Sequence, residues 1–390
     1  MKESETSRRQ FIRCCAVGAG GLACGGLAVH QMITTGPSTD LRTGFQDDAP
    51  ETLDQWSREA SWYVSTGELV RCELCPQLCI LGENDRGYCR ARVVKDQKLH
   101  TLTYGNPCSI HVDPIEKKPL FHFLPGSEIF SVATAGCNLR CKNCQNWEIS
   151  QARPDDTENI DLLPERLVET VQARGIPAIA YTYSEPIIFY EYVHDAAVRA
   201  RQAGIKNVMV TAGYIEERPL RKLCQVIDAA NVDLKGFTDR FYRQITGAKL
   251  EPVLRALQIL HEEGVWFEIT RLIVPTLSDQ LDDIRAMCGW IVDTLSPDVP
   301  IHFSRFHPAY QLKTLPYTPD AVLVSAKDIA TEMGLKYVYI GNLPTRRGQH
   351  TFCPSCNRRV IERHGYLLGH SLLGESGDCT CGERIPGVWL

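Results

Sequence analysis

The stretch 133-ATAGCNLRCKNCQNWEIS-150 places three cysteines, Cys137, Cys141 and Cys144, in the spacing C-x3-C-x2-C. A structural zinc site is closed by four protein ligands, so three cysteines do not complete one. A [4Fe–4S] cluster has four irons that each take a ligand, and three thiolates leave one iron open. The spacing therefore predicts an iron–sulfur centre with one coordination position free for an exogenous ligand.

The sequence around this loop alternates between strand and helix patterns. A buried strand at 128–136 precedes the loop, and further strands are predicted at 178–184, 207–213, 231–236, 266–274, 301–306 and 337–342. Helical periodicity lies between them, at 163–175, 187–203, 219–228, 251–263, 280–294 and 319–333. With right-handed crossovers this order predicts an α/β fold, a partial (β/α)6 TIM-like barrel over residues 126–342. Chemistry in such folds collects at the carboxyl ends of the strands, where the cysteine loop begins.

Composition limits the classes of partner. The 390-residue chain has a formal net charge of −5, so no overall basic field attracts nucleic acid, and no nucleic-acid partner is expected. It contains 17 cysteines, most of them at metal-ligand spacings. A chain this long does not need a disulfide scaffold, so the cysteines favour bound metal over disulfides.

The N-terminal stretch SRRQFIRCCAVGAGGLACGGLAVH (7–30) has paired arginines followed by a weakly apolar, glycine-rich run. It resembles a twin-arginine signal, which exports folded and often cofactor-loaded proteins. Residues 1–35 are therefore predicted as a signal region that directs export to the periplasm or membrane, and residues 36–67 as a polar linker. The alternative is a disordered basic tail on a cytoplasmic protein.

The cysteine loop, placed after the first strand of a βα barrel, resembles that of the radical S-adenosylmethionine (SAM) superfamily. The resemblance implies that the amino and carboxylate groups of SAM chelate the open iron. An electron from the cluster then cleaves the sulfonium to methionine and a 5′-deoxyadenosyl radical, which abstracts hydrogen from a substrate.

Two residues at the end of the second strand are candidates for binding SAM. In 181-YTYSEP-186, Ser184 and Glu185 occupy the position where the superfamily carries a short motif that binds the SAM amino group. A carboxylate suits an amino group because the hydrogen bond is charge-assisted. The alternative is that Glu185 only complements a helix dipole.

Later strand ends add further candidates. Asp233 and Lys235, in 232-VDLKG-236, alternate with apolar residues and so share one face of the strand. They resemble the DLK element of glycyl-radical activating enzymes, which lies near SAM; an ordinary buried salt bridge is the alternative. Arg271, on the next strand, is a weaker candidate for the SAM carboxylate.

The resemblance extends beyond the barrel and covers about residues 68–390. Its motifs are 71-RCELCPQLCILGENDRGYCRAR-92, 113-DPIEKKPLFHFLPG-126, 135-AGCNLRCKNCQNWEIS-150, 181-YTYSEPIIFYEY-192 and the C-terminal CPSC and RIPGVW. Together they look like the AmmeMemoRadiSam-system radical SAM proteins, relatives of pyruvate formate-lyase activating enzyme. This implies Memo-like and AMMECR-like partner proteins and an electron donor such as ferredoxin or flavodoxin, but it does not imply a substrate. A protein glycyl-radical or peptide target is the leading hypothesis, and a small-molecule or nucleic-acid substrate is the alternative. An exported member would depart from a class that uses cytosolic SAM.

Two outer cysteine groups are possible auxiliary metal sites. The segment 68–125 contains Cys72, Cys75, Cys79 and Cys89, and the segment 343–390, which resembles a zinc ribbon, contains Cys353, Cys356, Cys379 and Cys381. Four soft ligands suit zinc or a second iron–sulfur cluster. The second C-terminal pair is spaced C-x-C, and this tight bite is expected to strain a tetrahedral site.

Two questions stay open at this point. The segment 113-DPIEKKPLFHF-123 is either a solvated turn or a flap over the barrel mouth that contacts substrate. The rival class for the whole chain is a non-catalytic iron–sulfur, zinc-binding or electron-transfer protein that does not bind SAM. A degenerate barrel that serves as a scaffold for a Memo-like protein is a third possibility.

Overall fold

The computed structural model describes residues 41–343 and 348–389. The predicted signal region, with Cys14, Cys15 and Cys24, lies outside these residues. Within the described part of the chain, no helix is both long and apolar enough to cross a bilayer.

The N-terminal segment folds into two small antiparallel sheets. Its strands are β1 (Arg58–Glu59), β2 (Tyr63–Thr66), β3 (Leu69–Cys72), β4 (Ile80–Leu81), β5 (Arg92–Lys95) and β6 (Lys98–Thr101). They are ordered β1-β6-β5 and β2-β3-β4. The expectation of a linker over residues 36–67 is wrong for much of the described part of that range. Strands β1 and β2 pair with β6 and β3, and Trp62 packs edge-on against Tyr190, with ring centroids 5.9 Å apart.

The central sheet has eight strands in sequential order. They are β7 (Ser109–Pro114), β8 (Glu128–Ala133), β9 (Ala178–Tyr181), β10 (Lys206–Thr211), β11 (Ala229–Asp233), β12 (Trp266–Ile273), β13 (Ile301–Arg305) and β14 (Val338–Gly341). Strands β8 to β14 are parallel, and β7 pairs with β8 in the antiparallel sense. The predicted seven-strand series is confirmed. The sheet nevertheless begins at Ser109, before the predicted domain boundary at residue 126.

The helices connect the parallel strands. Their bounds are α1 (Trp147–Ser150), α2 (Pro164–Ala173), α3 (Tyr190–Gln202), α4 (Glu217–Cys224), α5 (Asp239–Phe241), α6 (Glu251–Glu262), α7 (Leu281–Thr294) and α8 (Asp320–Glu332). Helices α2, α3, α4, α6, α7 and α8 are the six predicted crossovers. Each of these helices buries an apolar stripe against the sheet. Fully buried examples, with 0% exposure, are Val171, Ala197, Leu257 and Ile291. The fold is the expected α/β partial barrel.

The C-terminal segment is a three-stranded antiparallel sheet of β15 (Thr351–Phe352), β16 (Arg359–His364) and β17 (Leu367–Ser371). Arg363 anchors it to the barrel. This fully buried guanidinium donates to the carbonyl of Phe121 at 2.5 Å and to Thr351 Oγ1 at 2.8 Å. Buried charged donors hold their partners firmly, because breaking the contact leaves a charge without solvent. The small sheet is therefore fixed against the 113–123 segment.

Candidate active site

A cavity of about 650 Å³ lies at the carboxyl edge of the central sheet. Strand-end residues from β9 to β14 line it, together with the 137–146 loop. All three loop cysteines are among the lining residues, as are Ser184, Glu185, Asp233 and Lys235. The volume is within the usual range for a site that binds a small molecule.

The cysteine loop is held from outside by the N-terminal segment. The Cys137 N–H donates to the carbonyl of Cys89 at 3.2 Å, and Gln77 Nε2 donates to the carbonyl of Asn138 at 2.9 Å. Gly136 allows the loop backbone to lie close to the carbonyl of Cys89. Its φ is 103°, and a Cβ atom there would lie 2.6 Å from the Cys89 carbonyl oxygen. The loop shape therefore requires glycine at this position.

The surroundings of the three thiols suit coordinated thiolates. Burial raises the pKa of each thiol, to about 11 for Cys141, so the free side chains favour the neutral form. The Leu139 N–H donates to Cys137 Sγ at 3.3 Å. The positive charge of Lys235 lowers the pKa of Cys141 and so opposes the effect of burial. A metal deprotonates a coordinating thiol outright. The donor set of three thiolates with a nearby cation and backbone N–H groups fits an iron–sulfur cluster.

Glu185 lies in the cavity wall with 2% exposure. Its carboxylate accepts hydrogen bonds from Thr211 Oγ1 at 2.5 Å, from the Ala212 N–H at 2.8 Å and from the Ile187 N–H at 3.3 Å. Burial nevertheless raises its pKa. A carboxylate offers about four acceptor positions, so about one remains free for a ligand. The contact with Ile187 caps the short helix that follows, so Glu185 caps a helix and faces the cavity.

Asp233 and Lys235 form an ion pair in the cavity wall, with Lys235 Nζ 2.8 Å from Asp233 Oδ2. Burial opposes the lysine charge, but Asp233 and Cys141 outweigh it and raise the pKa of Lys235. The two residues therefore share the inner face, as the alternation predicts, and they also form a salt bridge. Ser184 donates from Oγ to the carbonyl of Thr134 at 2.7 Å, which ties the β9 end to the cysteine loop.

Arg271 does not reach the cavity, contrary to its proposed contact with a SAM carboxylate. Its neighbours Thr270 and Leu272 line the cavity, and alternation along β12 sends Arg271 to the outer face. There its guanidinium donates to the carbonyls of Lys235 and Ser278, with 1% exposure. Burial lowers its pKa to about 10. Arg271 therefore joins the chain at Lys235 to the chain at Ser278 from the outer side of the sheet.

The 113–123 segment is not a solvated turn, because it is largely buried and forms part of the cavity wall. Asp113 is in β7 and accepts from Lys117 Nζ at 2.7 Å and Lys118 Nζ at 2.6 Å, and the hydroxyl of Tyr183 also donates to it. Lys117 and Lys118 line the cavity. Burial lowers the pKa of Lys118 to about 8. Sequence reasoning left these lysines undecided because the antiparallel strand β7 was not expected.

Two residues from distant parts of the chain complete the cavity wall. Tyr183 has a φ of 64°, which is strained for a bulky residue and is often associated with functional sites. Tyr366 lines the cavity from the turn between β16 and β17. Tyr183 lies within the 181–186 motif, whereas no sequence pattern near Tyr366 connects it with the cysteine loop.

The four C-terminal cysteines form a tight cluster. Their sulfur atoms all lie within 4.8 Å of one another, with Cys353 Sγ 3.6 Å from Cys381 Sγ and Cys356 Sγ 3.7 Å from Cys379 Sγ. Tetrahedral zinc with bonds of about 2.3 Å places its sulfurs about 3.8 Å apart. Despite the C-x-C spacing, Cys379 and Cys381 therefore join Cys353 and Cys356 in one group of sulfurs. Every cysteine of the described residues is free of disulfides.

Comparison with known proteins identifies the family. The sequence model of the Radical SAM superfamily matches residues 131–290. An uncharacterized protein of Methanocaldococcus jannaschii is 44% identical over 336 residues, which are 85% of this chain and 99% of that protein. The chain belongs to the radical SAM superfamily. A pyruvate formate-lyase-activating enzyme of Clostridium pasteurianum is also similar to this radical SAM protein, with 27% identity over 160 residues, 40% of this chain and 66% of that enzyme.

A solved radical SAM methyltransferase from Sphaerobacter thermophilus is similar at 10% identity, with a TM-score of 0.45, over 74% of this chain and 78% of that chain. Membership implies an enzyme with a [4Fe–4S] cluster and SAM. Cys137, Cys141 and Cys144 would hold that cluster, which supplies the electron that cleaves SAM. The chain's own contribution is a buried, partly cationic cavity in which the loop cysteines face Glu185 and Lys235.

We expect the substitution Gly136→Ala to impair cluster binding. The added Cβ clashes with the Cys89 carbonyl at a positive φ, at a cost of about 1–3 kcal/mol, and displaces the loop. Iron and sulfide per chain, measured after anaerobic reconstitution, should fall clearly below the wild-type values while circular dichroism is retained. Gly204→Ala is the control, since it has a similar positive φ of 73° but no atom within 4 Å. Wild-type iron content in Gly136→Ala would refute the steric constraint.

Proposed function

We propose that this enzyme binds SAM in the carboxyl-edge cavity and cleaves it reductively to initiate hydrogen abstraction. The observation that carries the proposal is the meeting of the three loop cysteines with Glu185 in a single cavity. Glu185 is assigned to the SAM amino group, because it keeps about one acceptor position after its three protein hydrogen bonds. Asp233 and Lys235 are assigned to the polar wall beside the ligand.

The substitution Glu185→Gln should weaken SAM binding about tenfold or more, because it replaces a charge-assisted hydrogen bond with a neutral one. Calorimetric titration of the cluster-loaded enzyme with SAM, under anaerobic conditions, measures this change. Formation of 5′-deoxyadenosine in the presence of dithionite should fall in parallel. The control is Glu165→Gln, an exposed glutamate on α2 that pairs with Arg199.

The rival hypothesis of a non-catalytic iron–sulfur or electron-transfer protein predicts a different result. It expects no SAM binding by the wild type and no effect of Glu185→Gln. Loaded protein that neither binds nor cleaves SAM would therefore favour the rival and overturn the proposal.

A protein or peptide target is the proposed substrate class. The named relative of Clostridium pasteurianum activates a protein, pyruvate formate-lyase. At the rim of the cavity, Tyr366 is 48% exposed and its neighbour Leu367 is 70% exposed, which is apolar surface suited to a polypeptide. A small-molecule substrate is the second candidate, because a GTP 3′,8-cyclase of Lactiplantibacillus plantarum is 26% identical over 257 residues.

The two substrate classes predict different stimulators of SAM cleavage. Memo-like and AMMECR-like proteins are the candidate partners, and reduced ferredoxin or flavodoxin is the candidate electron donor. With dithionite and SAM, we expect a partner protein to increase 5′-deoxyadenosine formation and to acquire a carbon-centred radical, detected by electron paramagnetic resonance. Stimulation by GTP, with none by either protein, would contradict the polypeptide assignment.

We also propose that the C-terminal cysteine quartet binds one structural zinc ion rather than a second cluster. The sulfur separations of 3.6 and 3.7 Å support this, since they match a single tetrahedral ion. The backbone N–H of Cys381 favours the thiolate of Cys379 and lowers its pKa to about 7. The quartet belongs to the sheet that carries Tyr366, so the ion would stabilise one wall of the cavity.

The substitution Cys379→Ala should therefore release about one zinc ion per chain without a change in iron content. Zinc is measured by elemental analysis and iron by a colorimetric assay on the same sample. Cys288→Ala, a fully buried core cysteine in α7, is the matched control and should keep its zinc. Iron in place of zinc at this site would contradict the assignment.

Export through the twin-arginine pathway remains a proposal, based on the paired arginines at residues 8 and 9. Sequencing the N-terminus of the accumulated protein in its native host, with cell fractionation, tests it. A full-length chain confined to the cytoplasm would overturn it.

A further inference from the structure

A second buried cysteine group lies beside the active-site loop. Cys72 ends β3, Cys75 and Cys79 follow in the next loop, and Cys89 precedes β5. All four have 9% exposure or less and are free. They line one small cavity that Arg92 also lines. Four soft ligands around one enclosed space are a complete set for a metal centre.

Backbone N–H groups donate to sulfur in both cysteine groups. The Tyr88 N–H donates to Cys79 Sγ at 3.4 Å. In the active-site loop, the Leu139 N–H donates to Cys137 Sγ at 3.3 Å. Hydrogen bonds to sulfur stabilise the charged form. A buried thiolate also requires a cation nearby, because it has no solvent to stabilise its charge.

Arg92 brings two unpartnered cationic donors to the wall of this cavity. Its side chain is 1% exposed, and Nη2 pairs with Glu191 Oε2 at 2.6 Å. Its Nε and Nη1 atoms are buried and have no hydrogen-bond partner among residues 41–343 and 348–389. Charged donors left unsatisfied in the interior are costly. A thiolate-ligated metal centre carries net negative charge and sulfur acceptors, so it would satisfy these donors.

The spacing of the sulfurs indicates which kind of centre fits. In the C-terminal quartet, the four sulfur atoms all lie within 4.8 Å of one another. Among the described residues, neither the N-terminal quartet nor the three cysteines of the active-site loop forms such a group. A polynuclear cluster holds its thiolates further apart than a single zinc ion does. In this respect the N-terminal quartet resembles the active-site loop and differs from the zinc-like site.

We propose that Cys72, Cys75, Cys79 and Cys89 bind a second iron–sulfur cluster, of the [4Fe–4S] type, with Arg92 as its hydrogen-bonding counter-ion. This cluster has four protein ligands and hence no open iron, unlike the one at the active-site loop. The two centres are adjacent, because the Cys137 N–H donates to the Cys89 carbonyl. The inference does not depend on SAM cleavage, since it concerns a separate set of ligands.

The test uses the full chain with the active-site ligands removed. The variant Cys137→Ala/Cys141→Ala/Cys144→Ala, reconstituted anaerobically with ⁵⁷Fe and sulfide, should keep about four irons per chain with the Mössbauer signature of a cubane cluster. Adding Cys72→Ala and Cys75→Ala should remove that iron. Adding Cys224→Ala and Cys288→Ala instead, both core cysteines, should not. Absence of iron from the triple variant, or zinc in its place, would overturn the proposal.

Wild-type protein supplies a measurement that does not depend on how the variants fold. Fully reconstituted wild type should contain about eight irons per chain. A content of about four irons, all of them lost in the triple variant, would refute the second cluster whether or not SAM is cleaved.

The role of Arg92 has its own readout in the triple variant. Reduction adds negative charge to the cluster, so loss of the cation should make the midpoint potential more negative. Arg92→Gln/Glu191→Gln is compared with Glu191→Gln alone, because this comparison changes only the cation and leaves no buried carboxylate unpaired in the double substitution. Arg92→Lys, which keeps the charge, should lie closer to the parent protein. Equal potentials in Glu191→Gln and in the double substitution would show that Arg92 is structural and would overturn its assignment as counter-ion.

Discussion

The active-site loop depends on one close backbone approach, between Gly136–Cys137 and the carbonyl of Cys89. A hydrogen bond of 3.2 Å joins the two chains there, and only glycine leaves room for it. The N-terminal segment constrains the loop through Cys89 and Gln77, so the position of the loop depends on this segment as well as on the barrel.

Burial of charge is the second theme of the site. Each cysteine of the loop is unfavourable as a thiolate when buried alone, and each has a nearby group that favours the charged form. Lys235 does so for Cys141, and the backbone N–H of Leu139 does so for Cys137. Metal binding then releases the thiol protons and turns an electrostatic cost into a stabilising interaction. The same logic applies to the Arg92 cavity, where two guanidinium nitrogens are otherwise left unsatisfied.

The C-terminal segment adds one wall to the cavity at the carboxyl edge of the sheet. Arg363 fixes the small antiparallel sheet to the 113–123 segment, which carries Lys117 and Lys118 into the cavity wall. Tyr366 then closes the rim from a turn more than 200 residues away from the cysteine loop. Segments outside the barrel therefore shape the space that remains for a substrate.

Periodicity and ligand spacing are local properties, so the amino-acid sequence alone was enough to predict the βα order, the C-x3-C-x2-C loop and the strand-end position of Glu185. It also placed Asp233 and Lys235 on one face, since strand alternation is local. It could not determine the side of β12 on which Arg271 lies, the antiparallel strand β7, or the folded strands β1 and β2 in the expected linker. Those features depend on contacts between segments that are distant in the sequence, such as the pairing of β7 with β8. The grouping of Cys379 and Cys381 with Cys353 and Cys356 at zinc-like distances became visible in the fold alone, because sulfur separations are set by chain packing and not by spacing along the sequence.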